Sequence, residues 1–239
     1  MKTFLFFIGI FFIIHYSQAQ VVLRTSGGKI LKTPGGRPLR SSCGTYHVTD
    51  ADGNTYSTVL IGTQCWLGEN LRVTRLNNST LLTAPPTWDN TAAYAWHSQV
   101  TTTQQRTDCG ALYTNETIGT GKICPSGWHV PSDNEWNILA SFLGGSSVAG
   151  GKMKETGSTY WVSNVGATNS SGFTGRGCGD KWDSGGDGGF GGGTFFWSQS
   201  TSVSARSYWN LNASNIILSG PLSSDVSVKR GFSIRCVRD

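Results

Sequence analysis

Apolar positions along this chain follow two different periods. Over "SDNEWNILASFLGG", residues 132–145, Trp136, Leu139, Ala140 and Leu143 recur at i, i+3, i+4 and i+7, which gives a helix one apolar face. Ser132 is a good N-cap with Glu135 three residues on, the spacing of a capping box. Gly144-Gly145 can end the helix in the left-handed conformation. This is the strongest helix that the pattern predicts. In "TYSTVLIG", residues 55–62, the β-branched signature is that of a strand, and the preceding Asp52-Gly53 favours a tight turn. "GTQ" then turns the chain into "CWLGENLRV", so a hairpin is predicted. Toward the C-terminus "TFFWSQS", "RSYWNLNA", "NIILSG" and "GFSIRCVRD" read as successive short strands. "NTAAYAWHSQV", residues 90–100, suits a short helix or a strand equally. Residues 172–193, "GFTGRGCGDKWDSGGDGGFGGG", are half glycine, and on entropic grounds such a stretch resists both helix and central strand.

The N-terminus has a pattern of its own. Lys2 is followed by an almost unbroken apolar run from Phe4 to Ile14, and Ser17-Gln18-Ala19 supplies small residues before a cut. The run is too short for a membrane span and fits a secretory signal over residues 1–19. No other stretch reaches spanning length, so the expected product is exported: secreted, periplasmic or on the outer cell surface. Removing 19 of 239 residues leaves 220, room for one large or two small domains. With 32 Gly, nine Trp and only 14% charged residues, more strand and loop than helix is expected. The formal charge of +5 is unevenly spread. Lys2, Arg24, Lys29, Lys32, Arg37 and Arg40 precede every acid, and from Cys43 onward 13 basic residues face 14 acidic ones. Residues 20–42 therefore read as a flexible basic linker, and residues 43–239 as the folded domain. That domain lacks the basic, aromatic-interleaved pattern of a nucleic-acid binder.

Six cysteines in an exported chain read as three disulfides, with 15 connectivities open. No C-x-x-C spacing suggests a metal or redox pair. Cys124 precedes the strong helix and Cys236 lies in the last strand. A bridge between them would close a loop of more than 100 residues, worth up to about 4–5 kcal/mol in the chain-entropy model. Asp50, Asp52 and Asn54 fail the spacing of a calcium loop, because Gly53 comes too early and no closing Glu follows. Asp180, Asp183 and Asp187 make a cation site conceivable, but acids in a glycine-rich loop are more often simply solvated. His47, His97 and His129 are isolated, and neither G-x-S-x-G nor H-E-x-x-H occurs, so no catalytic residue, metal ligand or cofactor is expected.

The blocks "DADGNTYSTVLIGTQCWLGENL", "GALYTNETIGTGKICPSGWHVPSDNEWNIL", "VAGGKMKETGSTYW", "GATNSSGFTGRGCG" and "GFSIRCVRD" together resemble the Fibrobacter succinogenes major paralogous domain family, in that family's order and over residues 43–239. The resemblance implies an α+β, C-type-lectin-like or formylglycine-generating-enzyme-like architecture with one strong helix, short antiparallel strands and long loops. It also implies an exported or cell-surface setting. Cys109 and Cys178 depart from the family pattern, which suggests one added bridge. The expected pairs are Cys43–Cys65, Cys109–Cys178 and Cys124–Cys236.

Three functions are weighed. The favoured one is a non-catalytic recognition module for a glycan or a surface protein. Trp197, Tyr208, Trp209, Asn210, Asn212 and Asn215 combine flat apolar area with amide groups suited to it, although Trp197 and Trp209 could equally pack the core. Strand alternation in "RSYWNLNASN" puts Tyr208, Asn210 and Asn212 on a solvent and ligand face, and Trp209 and Leu211 on the core face. Any binding surface is placed between the glycine-rich stretch and the last strands. The alternatives are an enzyme of the formylglycine-generating type, which needs two close free thiols, and a structural part of a surface assembly.

Overall fold

The computed structural model describes residues 43–85, 91–182, 184–201, 205–225 and 229–239. The expected signal, the basic linker and Asp183 lie outside the described residues. In chain order the elements are β1 (His47–Thr49), β2 (Thr55–Ile61), β3 (Gln64–Leu67), β4 (Tyr94–Ala95), α1 (Thr103–Cys109), β5 (Leu112–Tyr113), α2 (Asn115–Gly119), β6 (Trp128–His129) and α3 (Asp133–Phe142). They continue as α4 (Ser146–Met153), β7 (Cys178–Trp182), β8 (Asp187–Phe190), β9 (Gly193–Thr201), β10 (Ala205–Asn212), β11 (Leu218–Asp225), β12 (Arg230–Gly231) and β13 (Val237–Arg238).

The predicted hairpin is present as β2 and β3, paired antiparallel from Thr58↔Leu67 to Ile61↔Gln64. Ahead of it, the Asp50 carboxylate accepts from the amides of Asp52 and Asn54, from the Asn54 side chain at 2.9 Å and from the Tyr56 hydroxyl at 2.6 Å. The acid that mimics a calcium ligand in sequence thus holds the β1–β2 turn. A five-stranded sheet in the order β1-β2-β3-β13-β6 brings the chain's end onto this hairpin. The second sheet runs β11-β10-β9-β7-β12, with β8 paired to β7. The open segment 90–100 contributes the short strand β4, paired to β5.

Helix α3 starts as its sequence dictates. The Ser132 hydroxyl accepts from the Glu135 amide, and the Glu135 carboxylate accepts from the Ser132 amide at 2.8 Å. Trp136 and Leu139 are fully buried. The Trp136 ring meets Trp66 at 4.9 Å, Phe196 at 5.6 Å and Trp209 at 6.0 Å, so the helix is keyed to both sheets by aromatic packing. All six cysteines are bridged, as Cys43–Cys65, Cys109–Cys178 and Cys124–Cys236. Two buried cations add polar ties. Arg235 donates to the Asn70 side chain and to the carbonyls of Leu67 and Phe173, beneath the Phe173 ring at 4.2 Å. Lys154 donates to the carbonyls of Val165 (2.9 Å), Asn212 (3.0 Å) and Asn215 (2.8 Å).

The expected α+β, C-type-lectin-like class with one strong helix does not hold. Among the described residues strand makes up 36% and helix 16%, the sheets curl, and the fold is β-rich. Besides α3 the described residues include three shorter helices of five to eight residues. The glycine-rich stretch is the largest departure, because it forms β7 and β8. Entropy disfavours glycine in a strand unless another backbone must come close. That condition is met here: a Cβ on Gly179 would lie 2.2 Å from the Gly188 carbonyl oxygen across the β7–β8 pair, and Gly179 has φ +71°. The glycines permit this pairing, which a count of their entropy alone does not reveal. Among the described residues no helix is long and apolar enough to cross a membrane. The three disulfides are compatible with an extracellular protein.

Candidate ligand-binding cleft

A cleft of about 430 Å³ opens on the second sheet, between the β7–β8 hairpin on one side and β10–β12 on the other. Its floor is aromatic. Phe195 on β9 and Tyr208 on β10 pack around Phe232, with the Phe195 ring 5.3 Å and the Tyr208 ring 4.8 Å from it. Phe232 is buried and Tyr208 is half-buried, so the tyrosine's hydroxyl end remains at the opening. That hydroxyl has no hydrogen-bond partner among the described residues, and it is not closed off in the core.

The wall toward β7 carries the charge. Asp180 accepts through Oδ2 from the Trp182 indole at 3.0 Å and from Arg230 at 3.3 Å. The Arg230 guanidinium also lies 5.4 Å from the centre of the Trp182 ring, so Asp180, Trp182 and Arg230 brace one another. Only 9% of the Asp180 side chain is exposed, and its burial pushes the carboxyl above its ordinary range despite the Trp182 and Arg230 contacts. The second oxygen, Oδ1, accepts nothing from the described residues. It lies against the glycine pair at the cleft wall, where a Cβ on Gly188 would come within 2.9 Å of it. Glycine at 188 keeps that oxygen reachable.

Contacts behind the cleft fix the hairpin. The Ser98 amide donates to Asp187 at 2.8 Å, and Lys181 donates to Asp187 at 3.2 Å and to the Gly185 carbonyl at 2.9 Å. His97 packs on Phe190 at 5.0 Å, and burial pushes its imidazole below the ordinary value. The Cys109–Cys178 bridge ties the start of β7 to α1. Of the three aspartates considered for a cation, Asp180 and Asp187 thus serve different partners on β7 and β8. Among the described residues no three His, Cys, Asp or Glu groups gather as a metal site.

Of the five sequence-predicted ligand residues, the structure places only Tyr208 in the cleft. Trp197 belongs to the core: it is 1% exposed, its indole donates to the Tyr113 carbonyl at 2.7 Å, and its ring lies 4.5 Å from Phe232. Trp209 and Leu211 are buried as the alternation requires, but Asn210 is buried with them. Its amide donates to the carbonyls of Thr194 (3.1 Å) and Leu211 (3.2 Å). The alternation itself is intact, since pairing with β9 runs unbroken through Tyr208↔Trp197, Trp209↔Phe196 and Asn210↔Phe195; Asn210 is buried because the face it shares with Tyr208 is itself covered. Asn212 accepts from the Ser214 amide at 2.9 Å, and Asn215 accepts from the Ile217 amide at 2.9 Å. Both shape the β10–β11 connection, whose carbonyls hold Lys154, and neither lines the cleft.

The sequence reading places binding between the glycine-rich stretch and the last strands, but it does not name Trp182, Phe195, Arg230 or Phe232. A usable signal is the Asp-x-Trp of "GDKWD": acid and indole two apart on a strand share one face.

No curated protein and no solved structure matches the chain. The Fibrobacter succinogenes major domain matches residues 59–238, from β2 to β13, and so takes in every side chain of the cleft. By that match, which spans most of its length, the chain belongs to the Fibrobacter succinogenes major domain family.

Proposed function

We propose that the domain is an exported, non-catalytic recognition module that binds a glycan in the cleft between the β7–β8 hairpin and β10–β12. One observation carries this reading. Two polar atoms, the Tyr208 hydroxyl and Asp180 Oδ1, have no hydrogen-bond partner among the described residues and border a floor made of Phe195, Tyr208 and Phe232. A sugar ring offers the complement, with an apolar C–H face for the aromatic floor and hydroxyls for the two polar atoms. Export is supported by the apolar leader and the three disulfides. The bridging of all six cysteines favours this reading over thiol-metal oxidation chemistry, which needs free thiols. His129, a possible general base by residue type, is held instead by Glu135 at 2.8 Å and Asp239 at 2.6 Å.

Titration calorimetry of the purified protein against a panel of oligosaccharides tests the reading. Binding to at least one glycan is expected, with loss in Trp182→Ala and weakening in Tyr208→Phe at an unchanged melting temperature. Binding that survives both changes would place the site elsewhere, and no binding across the panel would overturn the glycan reading.

A further inference from the structure

The charges at the cleft set what kind of sugar it can take. Arg230 is the one cationic side chain bordering the opening among the described residues, and it is already matched by Asp180 at 3.3 Å. Lys181, next to Asp180 in sequence, turns away to Asp187 at 3.2 Å and is no help to a bound anion. The opening is therefore close to charge-balanced, and its one guanidinium already faces the Asp180 carboxylate. Asp180 Oδ1 needs donors, and an unmodified pyranose hydroxyl supplies one, whereas a uronate brings a like charge close to a buried carboxylate.

We propose that the cleft selects uncharged pyranose sugars over acidic ones, with a ligand hydroxyl donating to Asp180 Oδ1 and the Asp180–Arg230 pair setting the preference. This deepens the glycan reading above and rests on it. Arg230 acts as a positioning residue: it holds Asp180 through Oδ2 and leaves Oδ1 for the ligand.

The test compares matched neutral and acidic probes by calorimetry at fixed salt: gluco- and manno-oligosaccharides against oligoglucuronate and oligomannuronate, with chitosan oligomers as the cationic arm. The protein should bind a neutral series about tenfold or more tighter than its uronate counterpart. Asp180→Asn should weaken neutral sugars by about 10- to 100-fold, since a charge-assisted hydrogen bond is lost. It should also remove the discrimination against uronates by freeing Arg230. Arg230→Gln should sharpen that discrimination, and it keeps the test decisive if Asp180→Asn does not fold. Tyr208→Phe should weaken neutral and acidic probes alike and leave their ratio unchanged. Uronates bound as tightly as neutral sugars, or a ratio untouched by Asp180→Asn and Arg230→Gln, overturns the charge preference and leaves the glycan reading standing. Tightest binding of chitosan overturns it in favour of an ammonium-bearing ligand. No sugar bound in any arm removes both proposals.

Discussion

The groups that a residue-by-residue search for chemistry would pick first turn out to be structural. His129 bridges Glu135 and Asp239, and the Glu135 hydrogen bond raises its pKa above the ordinary 6.5 against the opposing effect of burial. For Glu135 burial works upward, but the bonds from His129 and Ser132 hold it below the ordinary 4.5. A raised histidine stabilises fully below its unfolded value and loses that contribution as pH rises through its folded value. A depressed glutamate stabilises above its unfolded value and loses the contribution as pH falls through its folded value. Stability from this pair should thus be greatest between 4.5 and 6.5. Urea denaturation midpoints measured against pH should fall on going from pH 6 toward pH 8 in the parent, and His129→Gln should flatten that fall. An equal slope in both proteins would show that His129 is not the group responsible. Ser132→Ala removes the N-cap acceptor of α3 and should cost about 1 kcal/mol. Ligand binding lost at an unchanged melting temperature would count against a purely structural role for Ser132.

At the scale of elements, legibility depended on whether an element is specified by its own pattern. Helix α3 and the β2–β3 hairpin are, through the Ser132/Glu135 cap, the period of Trp136 and Leu139, and the Gly62-Thr63 turn. β7 and β8 are specified by each other: Gly179 and Gly188 read as loop until the two backbones are seen to approach. β10 fails differently: its alternation holds, but the face of Tyr208 and Asn210 is covered as well, and the strand's own pattern does not announce that. Gly179→Ala should accordingly disturb the β7–β8 pair, with a cost of about 1–3 kcal/mol for a non-glycine residue held at positive φ. Thermal unfolding together with ligand titration checks this, and a variant with parental stability and affinity would refute the close-approach argument. Replacing both Cys124 and Cys236 by Ser opens a loop with a sequence separation of 112. Denaturant unfolding should register a loss of about 4–5 kcal/mol. A loss under 1 kcal/mol would mean that aromatic packing around Trp136 already confines the unfolded chain or the native ends.

For the molecule as a whole, the two sheets divide the work. The β1-β2-β3-β13-β6 sheet, α3 and the buried Arg235 close the chain on itself, while the second sheet carries an opening bordered by Tyr208, Asp180, Trp182 and Arg230. The family resemblance could be read from ordered sequence blocks, but the fold class could not, since strand content came from glycine-rich chain and from pairings between distant segments. The location of the cleft was legible as a region poor in core pattern. Its actual side chains were not, because Trp182, Arg230 and Phe232 come together only when β12 pairs with β7 through Arg230↔Trp182. The central claim, that this opening is the ligand site, is tested most directly by indole and ring NMR signals during titration with a neutral oligosaccharide. Trp182, 45% exposed at the rim, and Tyr208 should shift with saturation, while the buried Trp197 and Trp209 stay still. Saturable shifts confined to other aromatics, with Trp182 and Tyr208 unmoved, would contradict it.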